Sequence, residues 1–220
     1  GGGWDAYFNS LKLGGAVALL GSALVFLGAY VCEKQQAAPL GRGLLRFFAM
    51  LPMAVPGLVL GLGYVFFFNH PANPLNALYG GMALMAVCTI AHFYTTAHLT
   101  VATALKQLDG EFEAVAASLK VPFWTTLRRV TLPVALPALL DVARFLFVSA
   151  MTTLSALVFI ISPENSLAAV SIITMDDAGD TAAAAAMATL IVLTSGSVSL
   201  LSLGLEKALA RRSRRWREPG

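Results

Sequence analysis

The residues best able to do chemistry in this sequence lie in one polar interruption, Leu108–Pro133, between long apolar runs. Acidic residues begin this loop and favour the positive N-terminal end of the small-residue helix that follows them. Pro122 should end that helix and start a second short one containing Trp124 to Val130, and Pro133 then marks the start of the next apolar span. Small side chains let a helix enter a groove on another protein. The pattern therefore favours binding of a soluble partner over catalysis.

Other polar residues are weaker candidates for chemistry. Asp141 and Arg144 lie three residues apart and can face each other on a helix; either a functional site within the membrane or a structural ion pair explains them. Thr152, Thr153 and Ser155 lie in the middle of a predicted span. They either line a polar pathway or bond back to their own helix.

Histidines and cysteines indicate no catalytic or metal site. His92 and His98 lack the spacing of a metalloprotease, and Cys32 and Cys88 have no ligand neighbours, so we interpret both cysteines as small apolar fillers. The sequence contains no Gly-x-x-x-x-Gly-Lys-Ser/Thr loop. The chain therefore has no phosphate-cradling loop of its own. We expect no catalytic residue, no metal and no cofactor.

Composition places the chain in a lipid bilayer. Of its 220 residues, 57% are hydrophobic and 12% are charged, with a mean hydropathy of +0.74. A soluble domain carries roughly 25% charged residues. The net charge of +3 is too small to favour nucleic acid as a partner.

Five apolar segments, each of roughly 20 residues or more, are long enough to cross a bilayer as helices. We predict spans at Leu11–Val31, Leu44–Phe68, Ala77–Leu99, Val134–Ile161 and Ala182–Leu205. The predicted fold is an all-α polytopic membrane bundle of about five helices. Residues 1–220 then form one transmembrane domain with a loop at 108–133 and a basic tail at 206–220.

The distribution of positive charge predicts the orientation. Lysine and arginine occupy the connections after the first, third and fifth spans, whereas the connections Asn69–Asn76 and Ser162–Asp180 contain neither residue. By the positive-inside rule the N-terminus is periplasmic and the C-terminus is cytoplasmic.

Two prolines interrupt the second predicted span. Pro52 and Pro56 each remove an amide donor and favour a kink. Pro56 is a candidate pathway residue if this helix is broken beside a transport path. A simple packing kink is the other interpretation, and the prolines alone favour it.

The polar loop resembles the signature of type I permease subunits of bacterial ABC importers: Glu-Ala-Ala, three residues, Gly, nine residues, then Ile-x-Leu-Pro. Val130-Thr131-Leu132-Pro133 matches its end. Lys120 then stands at the Gly position, and Ala114-Val115-Ala116 stands at Glu-Ala-Ala, with Glu113 beside it. The resemblance implies that this loop carries the coupling helix that docks on an ATPase subunit. The coupling residues it implies are Glu113, Ala114, Ala116, Ala117, Lys120, Pro122, Val130, Leu132 and Pro133.

Finer features resemble the branch that transports iron(III), thiamine or 2-aminoethylphosphonate, and most closely the 2-aminoethylphosphonate permeases. They are LPMAVPGLVLGLGYVFFFN, SLKVPFW and AMTTLSALVFIISP. The chain begins Gly-Gly-Gly-Trp without a methionine, and we interpret it as the second permease unit of a longer polypeptide.

The resemblance implies a multi-pass bacterial inner-membrane protein with several partners. These are ABC ATPase subunits, a second permease unit and a periplasmic solute-binding protein, in addition to the lipid bilayer. A secondary transporter or channel is the main alternative; it needs inverted repeats or paired broken helices. An intramembrane enzyme needs a nucleophile-base or metal set, which the sequence does not supply.

Overall fold

The computed structural model describes residues 2–34, 39–108, 115–116 and 118–214. Every regular element in these ranges is a helix, which confirms the all-α prediction. The seven main helices are α1 (Gly2–Lys34), α2 (Pro39–Ala54), α3 (Gly57–Phe68), α4 (Met82–Lys106), α5 (Phe123–Thr152), α6 (Ala168–Asp177) and α7 (Thr181–Arg214). Two short 3-10 turns, Asn76–Leu78 and Pro163–Asn165, precede α4 and α6.

Four of these helices, α1, α4, α5 and α7, are long and apolar enough to cross a membrane, and the total is five if the α2–α3 pair forms one span. Helices α1, α4 and α5 pack together around the main core. It includes Leu13, Val17, Met85, Val101 and Leu146, each at most 1% exposed. Because lipid offers no hydrophobic drive between helices, their association depends on close van der Waals packing.

The second predicted span is broken rather than kinked. Helices α2 and α3 meet at 109° across the break at Val55 and Pro56. The amide of Leu60 donates to the carbonyl of Pro56 at 3.0 Å, so α3 restarts directly after the proline. The missing amide and fixed φ of Pro56 explain why the chain turns here. A packing kink within one helix was therefore the wrong interpretation, because the bend separates two helices.

The fourth predicted span, Val134–Ile161, was wrong at its end. Helix α5 begins at Phe123 and ends at Thr152, and turns closed by backbone bonds to Leu154 and Leu157 follow it. Pro133 does not separate a short helix from the span, because α5 runs through it. A π-turn at Leu127–Thr131 precedes the proline, and the amide of Leu132 donates to the carbonyl of Leu127. This wider turn accommodates a proline that has no amide to donate.

Helix α6 occupies part of the connection Ser162–Asp180, which the sequence predicted only as a loop. Ala168 and Ser171 of this helix are buried. Its first amide, that of Ala168, donates to the hydroxyl of Ser10 on α1 at 2.9 Å. The helix therefore packs onto the bundle and is capped by it.

Candidate functional site

The polar loop joins α4 to α5 at the end of the bundle that carries Lys34, Arg46 and Lys106, which we term the basic end. Of the predicted coupling residues, Glu113, Ala114 and Ala117 lie outside the described residues. Ala116 is helical, Pro122 is the N-cap of α5, and Val130, Leu132 and Pro133 lie in its first turns. The predicted helix start after Pro122 is confirmed.

Lys120 adopts the left-handed conformation that the glycine of the signature would supply. Its φ is +53°, and it is the non-glycine residue with positive φ in the described part of the chain. The amide of Val121 donates to the carbonyl of Ala116, and that of Leu119 to Val115, each at 2.9 Å. The bond from Val121 closes a Schellman-type helix end. The tight turn therefore persists although a lysine occupies the glycine position.

Large apolar side chains are exposed around this turn. Leu119 is 70% exposed and Trp124 is 74% exposed, and Val115, Val121 and Phe123 are also exposed. Several exposed apolar side chains close together in a polar connection are typical of a protein-protein contact. We term these five residues the loop surface.

Glu33 joins three helices at the basic end. Its carboxylate accepts from Arg46 on α2 at 3.2 Å and lies 3.8 Å from the ammonium of Lys106 on α4. The side chain of Glu33 is only 9% exposed, so its charge is held between two cations with little water around it. Sequence reasoning missed this residue, although a lone acid in a basic connection was the available signal.

The last turn of α1 also contacts both ends of the polar loop. The Nζ of Lys34 donates to the carbonyl of Leu108 at 3.0 Å. The ring of Tyr30 meets the ring of Phe123 edge-on, with centroids 5.7 Å apart and planes at 74°. The loop therefore leaves α4 and enters α5 against the same helix end.

The structure brings two of the four predicted pathway positions together. Pro56 precedes Gly57, where an added Cβ would lie 2.5 Å from the Oγ of Ser155 and 3.1 Å from the Cε1 of His92. The Nδ1 of His92 is buried and has no hydrogen-bond partner among the described residues. The break between α2 and α3, the turns after α5 and an imidazole on α4 thus meet at one place.

The two predicted threonines do not join this cluster. The hydroxyl of Thr152 donates back to the carbonyl of Val148 at 3.0 Å, which favours the back-bonding interpretation. Thr153 is buried, and its amide donates to the carbonyl of Ser149 at 2.8 Å.

The remaining polar candidates make packing or ion-pair contacts within the helix bundle. Asp141 and Arg144 form the predicted ion pair on α5. Cys32 and Cys88 are buried and unpaired with each other, and His98 is buried and stacks on Tyr94. Within the described ranges, no group of three or more histidine, cysteine, aspartate or glutamate side chains could hold a metal ion.

The opposite end of the bundle, which we term the acidic end, carries Glu164, Asp176, Asp177 and Asp180. Here the carbonyl of Gly80, a residue with φ of +74°, accepts from the Oγ of Ser162 at 3.1 Å and the Nδ2 of Asn165 at 2.8 Å. These bonds hold the chain that follows α5 against the start of α4. An open cleft of about 420 Å³ lies between the two segments.

Comparison with known proteins decides the family. Residues 16–215 match the family described as the binding-protein-dependent transport system inner membrane component. This chain belongs to that family. The match extends from α1 through α7 and includes the polar loop.

Two relatives of this inner-membrane component are named for their transport systems. The chain is 32% identical over 164 residues to the "Putative ferric transport system permease protein FbpB 1" of Haemophilus influenzae, covering 74% of this chain and 25% of that protein. It is 30% identical over 211 residues to the "Putative 2-aminoethylphosphonate transport system permease protein PhnV" of Salmonella paratyphi A, covering 94% and 76%. The chain thus spans about a quarter of the ferric permease and most of the other relative.

A solved structure shows the same fold. The inner-membrane component resembles a chain of a bacterial alginate ABC transporter in complex with an alginate pentasaccharide-bound periplasmic protein. The TM-score is 0.75 at 14% identity, with 90% of this chain and 76% of that chain covered. At this identity the likeness concerns the fold of the helices.

Proposed function

We propose that this chain is the transmembrane permease subunit of an ATP-driven ABC importer, that it contributes to the solute pathway, and that it couples to separate ATPase subunits. The observation that carries the proposal is the loop surface, in which Leu119 and Trp124 are mostly exposed beside the left-handed turn at Lys120. Family membership supports the same function. The importer activity rests on both together.

The basic end faces the cytoplasm in this proposal. Lys34, Arg46 and Lys106 lie at this end, and the acids of the opposite end lie on the periplasmic side. This orientation puts the N-terminus of the chain in the periplasm and the C-terminus in the cytoplasm. The loop surface then faces water rather than lipid.

An ATPase subunit is the partner that fits the loop surface. Leu119 and Trp124 in water expose apolar area that a groove of a soluble protein can cover, and aromatic residues are typical anchors of such contacts. Ala116 lies on the helical turn that the groove would receive. Glu113, Ala114 and Ala117 complete the proposed coupling segment, although they lie outside the described residues.

A second permease unit completes the pathway. Non-helical backbone at membrane depth is tolerated where it is buried in protein or lines a water-filled cavity. Pro56 at the break and Ser155 in the turn are both exposed in this chain, and Met53, three residues before Pro56, is 78% exposed. A partner unit packed here would cover the apolar surface and enclose the polar cluster.

The solute class follows from the relatives. Their names refer to ferric and 2-aminoethylphosphonate transport systems, and we propose one of these two solutes as cargo. A periplasmic solute-binding protein delivers it to the acidic end.

A secondary transporter is the second candidate, and one observation favours it. The 109° break between α2 and α3 resembles the discontinuous helices of such transporters. A secondary transporter would need no ATPase. The loop surface would then have no partner to bind.

Crosslinking distinguishes the two candidates. A cysteine replaces Ala116 in a background without Cys32 and Cys88, and the chain is expressed in membranes with the ATPase subunit of its transport system. The matched control places the cysteine at Ala72, an exposed alanine of the connection after α3. The proposal predicts an ATP-sensitive crosslink from position 116 and none from position 72.

A missing crosslink from position 116, with the protein intact and inserted, would contradict the ATPase coupling and favour the secondary transporter. A crosslink from both positions would show that the reagent joins the two proteins without regard to the loop. In that case the crosslink from position 116 would not support docking of the ATPase on the loop.

A further inference from the structure

Three residues on one face of α1 hold the polar loop at both of its ends. Tyr30, Glu33 and Lys34 are spaced i, i+3 and i+4, so their side chains lie together on the helix surface. Glu33 and Lys34 contact the start of the loop through Lys106 and the carbonyl of Leu108. Tyr30 contacts its end through the ring of Phe123. We term Tyr30, Glu33 and Lys34 the α1 clamp.

The charge of Glu33 is the centre of this clamp. Its nearly buried carboxylate separates the cations of Arg46 and Lys106. Removing the carboxylate leaves these like charges facing each other without a counter-charge. A substitution here therefore removes the shared counter-charge that ties α2 and α4 to the end of α1.

The other end of α1 is attached to the acidic end of the bundle. The hydroxyl of Ser10 accepts from the buried amide of Ala168 at 2.9 Å. The Nδ2 of Asn9 donates to the carbonyls of Glu164 and Ser166, each at 3.3 Å. At 1.5 Å per residue, the helix spans roughly 36 Å between Asn9 and Glu33.

Between its two attachments, α1 is a continuous helix packed in the core. Leu13, Val17, Val25 and Ala29 are fully buried along it. A close-packed helix moves as a unit rather than bending at each contact. Movement of the polar loop that carries the clamp with it is therefore passed along α1 to the Ser10–Ala168 contact.

We propose that α1 is the positioning element that transmits movement of the polar loop to the acidic end, and that Glu33 and Lys34 are its positioning residues. The proposal rests on the proposed function, because it takes the ATPase to be what moves the loop. It assigns to α1 the mechanical link between ATP binding and opening of the Ser10–Ala168 contact. The link needs no contact between Glu33 and the solute.

The test measures cysteine labelling at the acidic end while substitutions change the clamp at the basic end. A cysteine replaces Ala168, which is 0% exposed, in the background without Cys32 and Cys88. The permease and its ATPase are placed together in nanodiscs, and a membrane-impermeant maleimide is added with or without ATP and orthovanadate. We expect ATP with vanadate to raise the labelling rate about fivefold, as for moderately linked sites.

The clamp variants are Glu33→Gln and Lys34→Met. Lys34 is only partly buried, so Lys34→Met supplies the measurement if Glu33→Gln does not fold. The matched control for Glu33→Gln is Glu206→Gln on α7, whose carboxylate accepts from Ser202 and has no ion pair among the described residues of the loop. We expect both clamp variants to reduce the ATP-dependent increase to less than about twofold, and the control to keep it.

The crosslink from position 116 separates the two proposals. A wild-type crosslink with an unchanged ATP-dependent increase in both clamp variants would overturn the inference alone. A parallel loss of crosslink and labelling response would show that the clamp only supports folding of the loop, and would overturn it as well. Absence of the wild-type crosslink would overturn the proposed function and the inference together.

Discussion

The amide of Val121 donates to the carbonyl of Ala116 at 2.9 Å and closes a turn around Lys120. This bond requires the residue just before Val121 to adopt a left-handed conformation, and Lys120 does so with φ of +53°. A side chain with a Cβ is strained there, whereas glycine is not. The chain thus keeps the backbone of the signature turn without its glycine.

Lys120→Gly should therefore stabilise the turn. We expect a gain of about 0.5–1 kcal/mol, because relief of left-handed strain exceeds the added entropy of glycine in the unfolded chain. Hydrogen exchange at the Val121 amide should slow about two- to fivefold.

The matched control for this change is Lys207→Gly in α7, where the lysine is exposed and helical. Glycine in a helix interior costs about 1 kcal/mol, so exchange around position 207 should become faster. Faster exchange at Val121 in the Lys120→Gly protein would contradict the strain argument.

Gly61→Ala should destabilise the junction between α3 and the turns after α5. An added Cβ would lie 2.6 Å from the carbonyl oxygen of Ala156, a backbone atom that cannot rotate away. We expect a loss of about 1–3 kcal/mol, typical of overpacking. The measurement is the midpoint of unfolding in a denaturing-detergent titration.

Gly63→Ala is the control for Gly61→Ala, because its added Cβ meets nothing within 4 Å. It should leave the midpoint unchanged or raise it, since alanine favours a helix more than glycine does. Equal losses in both variants would show that the cost arises from the helix itself rather than from Ala156.

Ser10→Ala should weaken the attachment of α6 to α1. The hydroxyl of Ser10 accepts the first amide of α6 in a buried position, so its removal leaves the Ala168 amide without that partner. We expect a loss of about 1 kcal/mol, as for a lost helix cap, measured as the same unfolding midpoint. Ser22→Ala on the same helix is the control, because the Oγ of Ser22 is buried without a partner and its loss should cost nothing.

Long apolar runs predicted the all-helical class and a set of about five spans, which agrees with the four or five candidate spans of the described residues. They could not predict the breaks. Pro56 lies within an apolar run and Pro133 at the start of one, yet the chain turns by 109° at the first and continues as helix through the second. The difference lies in the π-turn before Pro133 and in the packing of Gly57 against Ser155. Neither feature can be read from the residues next to the proline.

The polar loop was located from sequence because its acids, small residues and Leu-Pro end are local features. Glu33 was missed for the opposite reason. Its partners Arg46 and Lys106 lie 13 and 73 residues away, and only the packed helices bring them to one carboxylate. Helix α6 was missed because it is short and lies in a connection that carries several acids.

Trp124→Ala should weaken docking of the ATPase without destabilising the permease. The indole is 74% exposed and meets the ring of Phe123 edge-on, with ring centroids 5.4 Å apart. Little core packing is therefore lost with it. Exposed tryptophans at the centre of a contact commonly contribute 2 kcal/mol or more, and we expect the affinity for the ATPase to fall at least about tenfold. Titration of the purified ATPase onto the permease in nanodiscs measures this affinity.

Trp4→Ala is the matched control for Trp124→Ala, because Trp4 is 60% exposed near the N-terminus of α1, at the other end of the bundle. Its loss should leave the ATPase affinity unchanged, since the proposed orientation places it across the membrane from the ATPase. Equal affinity in the Trp124→Ala and wild-type proteins would exclude Trp124 as an anchor of the contact. A lower affinity in the Trp4→Ala protein would instead contradict the proposed orientation, because both tryptophans cannot reach a soluble partner on one side of the membrane.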